Sequence, residues 1–334
     1  MRYIINTLKM LGWLIVIAPA NGALMAHEFW IDPVIFELPA DAPLVADILV
    51  GQKFSGAAYA YYPPQFNTLK MLGWLTVIAP ANGALMAHEF WIDPVIFELP
   101  ADSSLVADIR VGQDFSGAAY AYYPPQFRRF DLVTSKGTQP VLGRPGDRPA
   151  LNVPSPTTGL ITAVHVTGDM TLTYKDWAKF KAFVTHKDFA WATSDHLARG
   201  LPETGFKERY SRYAKSLFAV GNGAGQDREV GLVTELVART NPYTDDIGQG
   251  ILLQVLYKGA PRTNAQLELF EKAADGKVQI TLHRTDETGH VRVPVQRGRR
   301  YLADAVVMRP LDAATSDGAV WESLWASLTF AVPD

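Results

Sequence analysis

Two stretches, Phe90 to Phe97 and Leu105 to Val111, alternate apolar with polar residues, and a period of two predicts strands with one buried face. Gly112 and Gly117 punctuate them. Phe130 to Val133, Val141–Leu142 and Leu160 to Val166 repeat the pattern between turns rich in Gly, Pro and Asp, the layout of a β-sandwich. Tyr120 to Phe127 is an aromatic, proline-bearing loop that reads as a cover packed over a sheet. At Tyr174 the period changes. Trp177, Phe180, Lys181 and Val184 recur at three and four residues, which predicts a helix ending near His186. Asp195 is placed to cap a short second helix through Leu201, stopped by Pro202. Lys207 to Gly221 reads two ways: Tyr210, Tyr213 and Leu217 fit a helix, while Ala214 to Val220 fit an edge strand. The strand is preferred for the C-terminal half. Gly221 to Asp227 (GNGAGQD) reads as a flexible joint. Beyond it, Val230 to Ala238, Leu252 to Tyr257, Ala265 to Glu271, Val278 to His283, Val291 to Val295, Tyr301 to Met308 and Ser327 to Val332 predict a second sandwich. The fold expected is mainly β, with two β-sandwich domains at residues 88–221 and 228–334. A short helical insertion lies between strands of the first.

The N-terminal part is written twice. Asn6 to Phe66 and Asn67 to Phe127 are the same segment apart from Ile15/Thr76, Ala42/Ser103, Pro43/Ser104, Leu49/Arg110 and Lys53/Asp114. Solenoid repeats are more numerous and diverge freely, so two near-identical copies indicate a recent tandem duplication or an assembly error. Only one copy of these strands can fill one slot in a sheet. The second copy continues directly into the rest of the domain, so it is expected to be the folded one. Residues 27–87 are expected to lie outside the core.

Composition and charge narrow the class. The chain has 334 residues, 48% of them hydrophobic and 19% charged, which is globular rather than disordered. A net charge of −3 without a basic stripe argues against a nucleic-acid partner. There are no cysteines, which excludes disulfides, thiol catalysis and cysteine-held clusters. Arg2 and Lys9 precede the apolar run Leu11 to Leu24, and Ala26 follows as a small residue. That order predicts a secretory signal peptide over residues 1–26 and a periplasmic or secreted protein. The run is too short to leave a stable membrane span once the signal is removed.

The words "AHEFWIDP", "DIRVGQDFSG", "ERYSRYAKSL", "TELVARTNPYTDD", "GAPRTNAQLELFE", "TDETGHVRVPV" and "WESLWASLTF", in that order over about residues 88 to 332, resemble a NikM-like periplasmic family associated with nickel and cobalt transport. The second half is similar to small sandwich modules of carboxypeptidase regulatory domains, through Gly259-Ala-Pro261 and Thr285-Asp286-x-x-Gly289. The resemblance implies two immunoglobulin-like or prealbumin-like sandwiches, a periplasmic location and membrane transporter components as partners. The duplicated leader departs from the family pattern.

Candidate chemistry rests on seven histidines. If the leader is cut directly before a His, the free amine and the imidazole of that residue can chelate one metal ion, since both shed protons near neutrality. That makes His88 the first candidate ligand. His165, on a strand of the same sandwich, is the second, and with it the nitrogen set would suit copper(II) or nickel(II), cobalt being added by the family resemblance. Glu322, between Trp321 and Trp325, is the candidate carboxylate partner of a metal-bound His. The plainer alternative is that His88 begins a strand, with Phe90 and Trp91 in the core, and that His165 is structural. His186 suits a helix C-terminus. His196 is expected at the surface, and His283 and His290 beside an exposed hairpin turn. His88-Glu89 does not complete an H-E-x-x-H motif, because the fifth position is Ile92. The expected function is that of a binding protein, not an enzyme, handling a transition metal as accessory to a transporter. The alternatives are a copper-dependent oxidative enzyme, or a structural module that binds protein or glycan.

Overall fold

In the computed structural model of the chain, residues 28–33, 46–52, 55–59 and 88–334 are described, and strands dominate them. The chain divides into two compact units, Met1–Leu75 and Thr76–Asp334. In the first, β1 (Glu28–Pro33), β2 (Ala46–Gln52) and β3 (Ser55–Tyr59) form one antiparallel sheet. The signal peptide expected at residues 1–26 lies outside the described residues.

The second unit opens with β4 (Glu89–Pro94), β5 (Glu98–Leu99), β6 (Ser104–Gln113) and β7 (Ser116–Tyr120). These reproduce the first copy's pairing: Glu89 faces Gly112 as Glu28 faces Gly51. Next come β8 (Phe127–Thr134), β9 (Gly137–Pro140), β10 (Leu151–Pro154), β11 (Gly159–Thr167) and β12 (Met170–Tyr174). Two helices, α1 (Trp177–His186) and α2 (Trp191–Ala198), lead into β13 (Phe206–Val220). The C-terminal part holds β14 (Thr234–Ala238), β15 (Ile251–Tyr257), β16 (Ala260–Pro261), β17 (Gln266–Lys272) and β18 (Val278–Arg284). It ends with β19 (His290–Val293), β20 (Arg299–Pro310) and β21 (Ala319–Val332).

Three sheets organise this unit. One has the order β10-β6-β4, with β7 on β6. A ten-stranded sheet runs β18-β17-β20-β21-β13-β11-β8-β9, with β12 and β5 on β13. A third joins β14, β15 and β16, with β19 on β15. The long sheet crosses the Gly221–Asp227 joint, because β13 pairs in parallel with β21 from Lys207 to Ser216. The fold is therefore β-dominant, with two small helices inserted beside the N-terminal strands.

β13 extends over the whole ambiguous run and lies inside the sheet instead of at its edge. Its alternation explains why. Ala214, Phe218 and Val220 face a core shared with Phe90, Ile92, Leu105, Leu132 and Ile161. The intervening Leu217 faces a second core with Leu236, Leu253, Leu267, Tyr301, Leu328 and Phe330. Burial on both faces yields an almost continuous apolar run, which mimics a helix in sequence.

α1 is capped by Asp176, whose carboxylate accepts from the Ala178 amide at 2.8 Å. It packs Phe180, Phe183 and Val184 against Trp321 and Trp325. α2 starts at Trp191, so Asp195 lies within the helix, where it pairs with Arg199 one turn on at 3.5 Å. His196 is fully buried, not at the surface. Its Nδ1 accepts from the Trp321 indole at 2.9 Å, and Phe206 lies against its ring. His283 and His290 sit in strands of different sheets, so no hairpin joins them.

Two ion clusters fix the halves to each other. Lys215, on the β13 face turned from the first core, meets Asp227 at 2.9 Å and Glu235 at 3.1 Å with no solvent exposure. Lys187, just past α1, meets Glu268 at 2.7 Å, Asp304 at 3.0 Å and Glu89 at 3.8 Å, over the Trp325 ring. Desolvation pushes the Glu89 carboxyl up to about 8 despite Lys187.

Candidate functional site

The period of two along β4, β6, β11 and β13 sends one set of side chains into the core between the four-stranded sheet and the long sheet. Deep in this layer the set is aliphatic and aromatic. At one end it changes character. His88 and Phe90 on the β4 side, Ile109 and Val111 on β6, His165 and Thr167 on β11, and Tyr210 and Arg212 on β13 line a cavity of about 420 Å³. Tyr120, Tyr123, Pro125, Gln126 and Phe127 close another wall, so the aromatic loop lines the cavity instead of only covering a sheet.

His165 stands in a sleeve of three phenylalanines, with ring centroids 5.3 Å from Phe90 and 5.1 Å from Phe127 and Phe130. Its Nδ1 is buried without a hydrogen-bond partner. Desolvation lowers its pKa to about 3, so the ring is neutral at physiological pH. His88 is also shifted down, first by desolvation and then by Arg212.

Arg212 supplies the charge. Its Nη2 donates to the His88 carbonyl at 3.2 Å and its backbone amide donates to Thr167 Oγ1 at 3.0 Å. The guanidinium carbon lies 4.9 Å from the Tyr210 ring centre and 5.7 Å from that of Phe90. Its Nε has no partner. Asp169, at the rim, is engaged by Arg128 at 3.2 Å.

The structure thus brings two of the three sequence-nominated residues, His88 and His165, to one cavity. Glu322 is not among its lining residues: its carboxylate is held by Arg209, at 2.6 Å, and by Arg309. Among the described residues, no group of three or more His, Asp or Glu side chains could hold a metal ion. Arg212 and Tyr210 were missed from sequence. The signal was there in "ERYSRY": once the run is a strand from its start, positions 210 and 212 share the face of Ala214 and Phe218. The cavity wall thus presents aromatic rings, one guanidinium and two imidazoles.

A family model described as "Domain of unknown function (DUF4198)" matches residues 85–309, more than half of the chain. That family is unrelated to the NikM-like nickel and cobalt family. The match overturns that resemblance, and with it the nickel- and cobalt-transport role it implied. No curated protein matches. A solved structure described as "Crystal structure of tetra-tandem repeat in extending region of large adhesion protein" aligns with 74% of this chain at 11% identity and a TM-score of 0.18. The chain spans 49% of that structure's length. Among the described residues, no helix is long and apolar enough to cross a membrane.

Proposed function

The chain belongs to the DUF4198 family, whose description states no activity, and from that premise we propose that it is a binding protein for a small organic molecule, seated in the cavity between β4, β6, β11 and β13. One observation carries this reading. The cavity is walled largely by aromatic and aliphatic side chains, and a few polar groups converge on it, the Arg212 guanidinium and the His88 and His165 imidazoles. A concave, mostly apolar site with a small number of placed polar groups is the usual form of a small-molecule pocket. The volume of about 420 Å³ falls within the ~300–1,000 Å³ typical of small-molecule pockets.

The same proposal takes the protein to be exported, on the basic and apolar pattern of residues 1–26. It treats each half of the second unit as an immunoglobulin-like or prealbumin-like sandwich, supported by two cores that each draw strands from two sheets.

Saturation-transfer NMR on the full chain with small aromatic probes, neutral and charged, tests the site. Probes should bind the wild type and lose binding in Ala121→Trp, which fills the cavity from its lining. Equal binding to both proteins would place the probes elsewhere and sink the proposal. So would an absence of probe binding alongside Cu(II) binding that His88→Ala and His165→Ala both abolish, which would make the cavity a metal site instead.

A further inference from the structure

Resting on the cavity reading above, we propose that the ligand is a planar monocarboxylate whose acid group is gripped by Arg212. The two buried lysines have acids of their own. Lys187 has Glu268 and Asp304, and Lys215 has Asp227 and Glu235, all between 2.7 and 3.1 Å. Arg212, half-buried, donates to a carbonyl instead, with the Glu89 and Asp304 carboxylates farther off. Desolvation beside Phe90 and Tyr210 holds its pKa below the usual arginine value despite those carboxylates. The two rings also fix the planar fork. A fixed fork meets a carboxylate with two parallel hydrogen bonds and little further loss of freedom.

The charge count selects a monoanion. Arg128 already engages Asp169, the one acidic residue of the cavity wall. Burial keeps His165 neutral, and His88 is pushed the same way. Arg212 is the one cation of the wall, and Glu89, Asp304 and Glu208 behind it already share its field. A carboxylate is the most negative charge that this balance takes, whereas a phosphate dianion would carry surplus negative charge against aromatic walls. Shape follows from the same walls: Tyr123, Phe127, His165 and Tyr210 make the lining rich in rings, and a planar body gains most from aromatic neighbours. His165 adds a neutral imidazole to the wall beside that body.

The test uses the full chain and isothermal titration with benzoate, benzamide, cyclohexanecarboxylate and inorganic phosphate. Benzoate should bind at least about tenfold more tightly than each of the other three. Arg212→Gln should weaken benzoate about ten- to a hundredfold and leave benzamide within about twofold. Arg212→Lys, which keeps the charge but loses the fork, should fall between. The benzoate–benzamide comparison needs no variant, so it stands even if a substitution impairs folding. Equal binding of benzoate and benzamide overturns the carboxylate assignment while leaving the cavity reading intact. Tighter binding of phosphate than benzoate overturns the monoanion, and equal binding of cyclohexanecarboxylate overturns planarity. Binding of none of the probes, neutral ones included, counts against the cavity reading itself.

Discussion

Acid should unfold this protein through His165. The folded ring titrates near pH 3 because burial among Phe90, Phe127 and Phe130 disfavours the imidazolium, whereas an unfolded histidine titrates near 6.5. A depressed folded pKa gives a contribution that is fully present above pH 6.5. It is lost as pH falls toward 3, because the unfolded chain takes up the proton first. The slope is about 1.4 kcal/mol per pH unit, so the loss at pH 4.5 is about 2.7 kcal/mol. Domains of ordinary stability have only about 5–15 kcal/mol in total, so this is a large share. Carboxylates titrate in the same range, and the informative quantity is therefore a difference. Wild type and His165→Leu, each unfolded in urea at pH 7.5, 6.5, 5.5 and 4.5 at fixed ionic strength and followed by tryptophan fluorescence, supply it. The gap between their free energies should be constant down to pH 6.5, then shift in favour of the variant by about 1.4 kcal/mol per unit. A gap independent of pH would show that His165 takes a proton in place, which would mean a wet or charge-paired cavity and refute the account given of it.

Glu89 should give the opposite slope. Its folded pKa near 8 lies above that of an unfolded glutamate, so its contribution is present below about pH 4.5 and is lost as pH rises through 8; Glu89→Gln should gain on the wild type across that window, measured by the same urea series. Lys215→Met strands Asp227 and Glu235 in the interior and should cost about 3–5 kcal/mol by chemical denaturation at neutral pH; a cost below about 1 kcal/mol would mean that the cluster is hydrated. Arg110→Leu restores the residue of the first copy. It removes contacts to Asp93 at 2.8 Å, Asp108 at 2.5 Å and the Gly117 carbonyl at 3.0 Å, and should lower stability by about 1 kcal/mol, since the pairs are partly exposed. Asp114→Lys restores another, at a hairpin whose two central residues, Asp114 and Phe115, have φ of 52° and 57°; Asp tolerates that backbone better than Lys, and a loss of about 1 kcal/mol in melting experiments is expected.

The strands were legible wherever one face is polar. β6 follows directly from alternation, and α1 follows from its three- and four-residue spacing. Strands covered on both faces were read unevenly: β11 and β20 were found as apolar runs, but β13 was only half found. β13 looked half helical because Tyr210, Tyr213 and Leu217 serve different layers of the fold, a fact that no local window contains. His196 was placed at the surface because it follows Asp195, read as a helix cap; its burial depends on Phe206 and Trp321, the latter distant in the chain. In the cavity, His88 and His165 were found because histidine is conspicuous. Arg212 was missed because an arginine between two polar residues reads as solvated, and only the packing of β4 over β13 brings it to the cavity wall beside His88 and Phe90.

The position of β21 bears on where the molecule can be cut. The family match ends at residue 309, inside β20, whereas β21 begins at Ala319. All but one of the fourteen residues of β21 are buried, and the strand lies between β20 and β13. A fragment trimmed to the family boundary would expose two open strand edges, one along Arg299–Pro310 and one along Lys207–Ser216. Bare edges of that length pair with neighbouring molecules. Such a fragment should therefore precipitate or form fibrils, and the smallest piece that stays monodisperse must run to at least Val332.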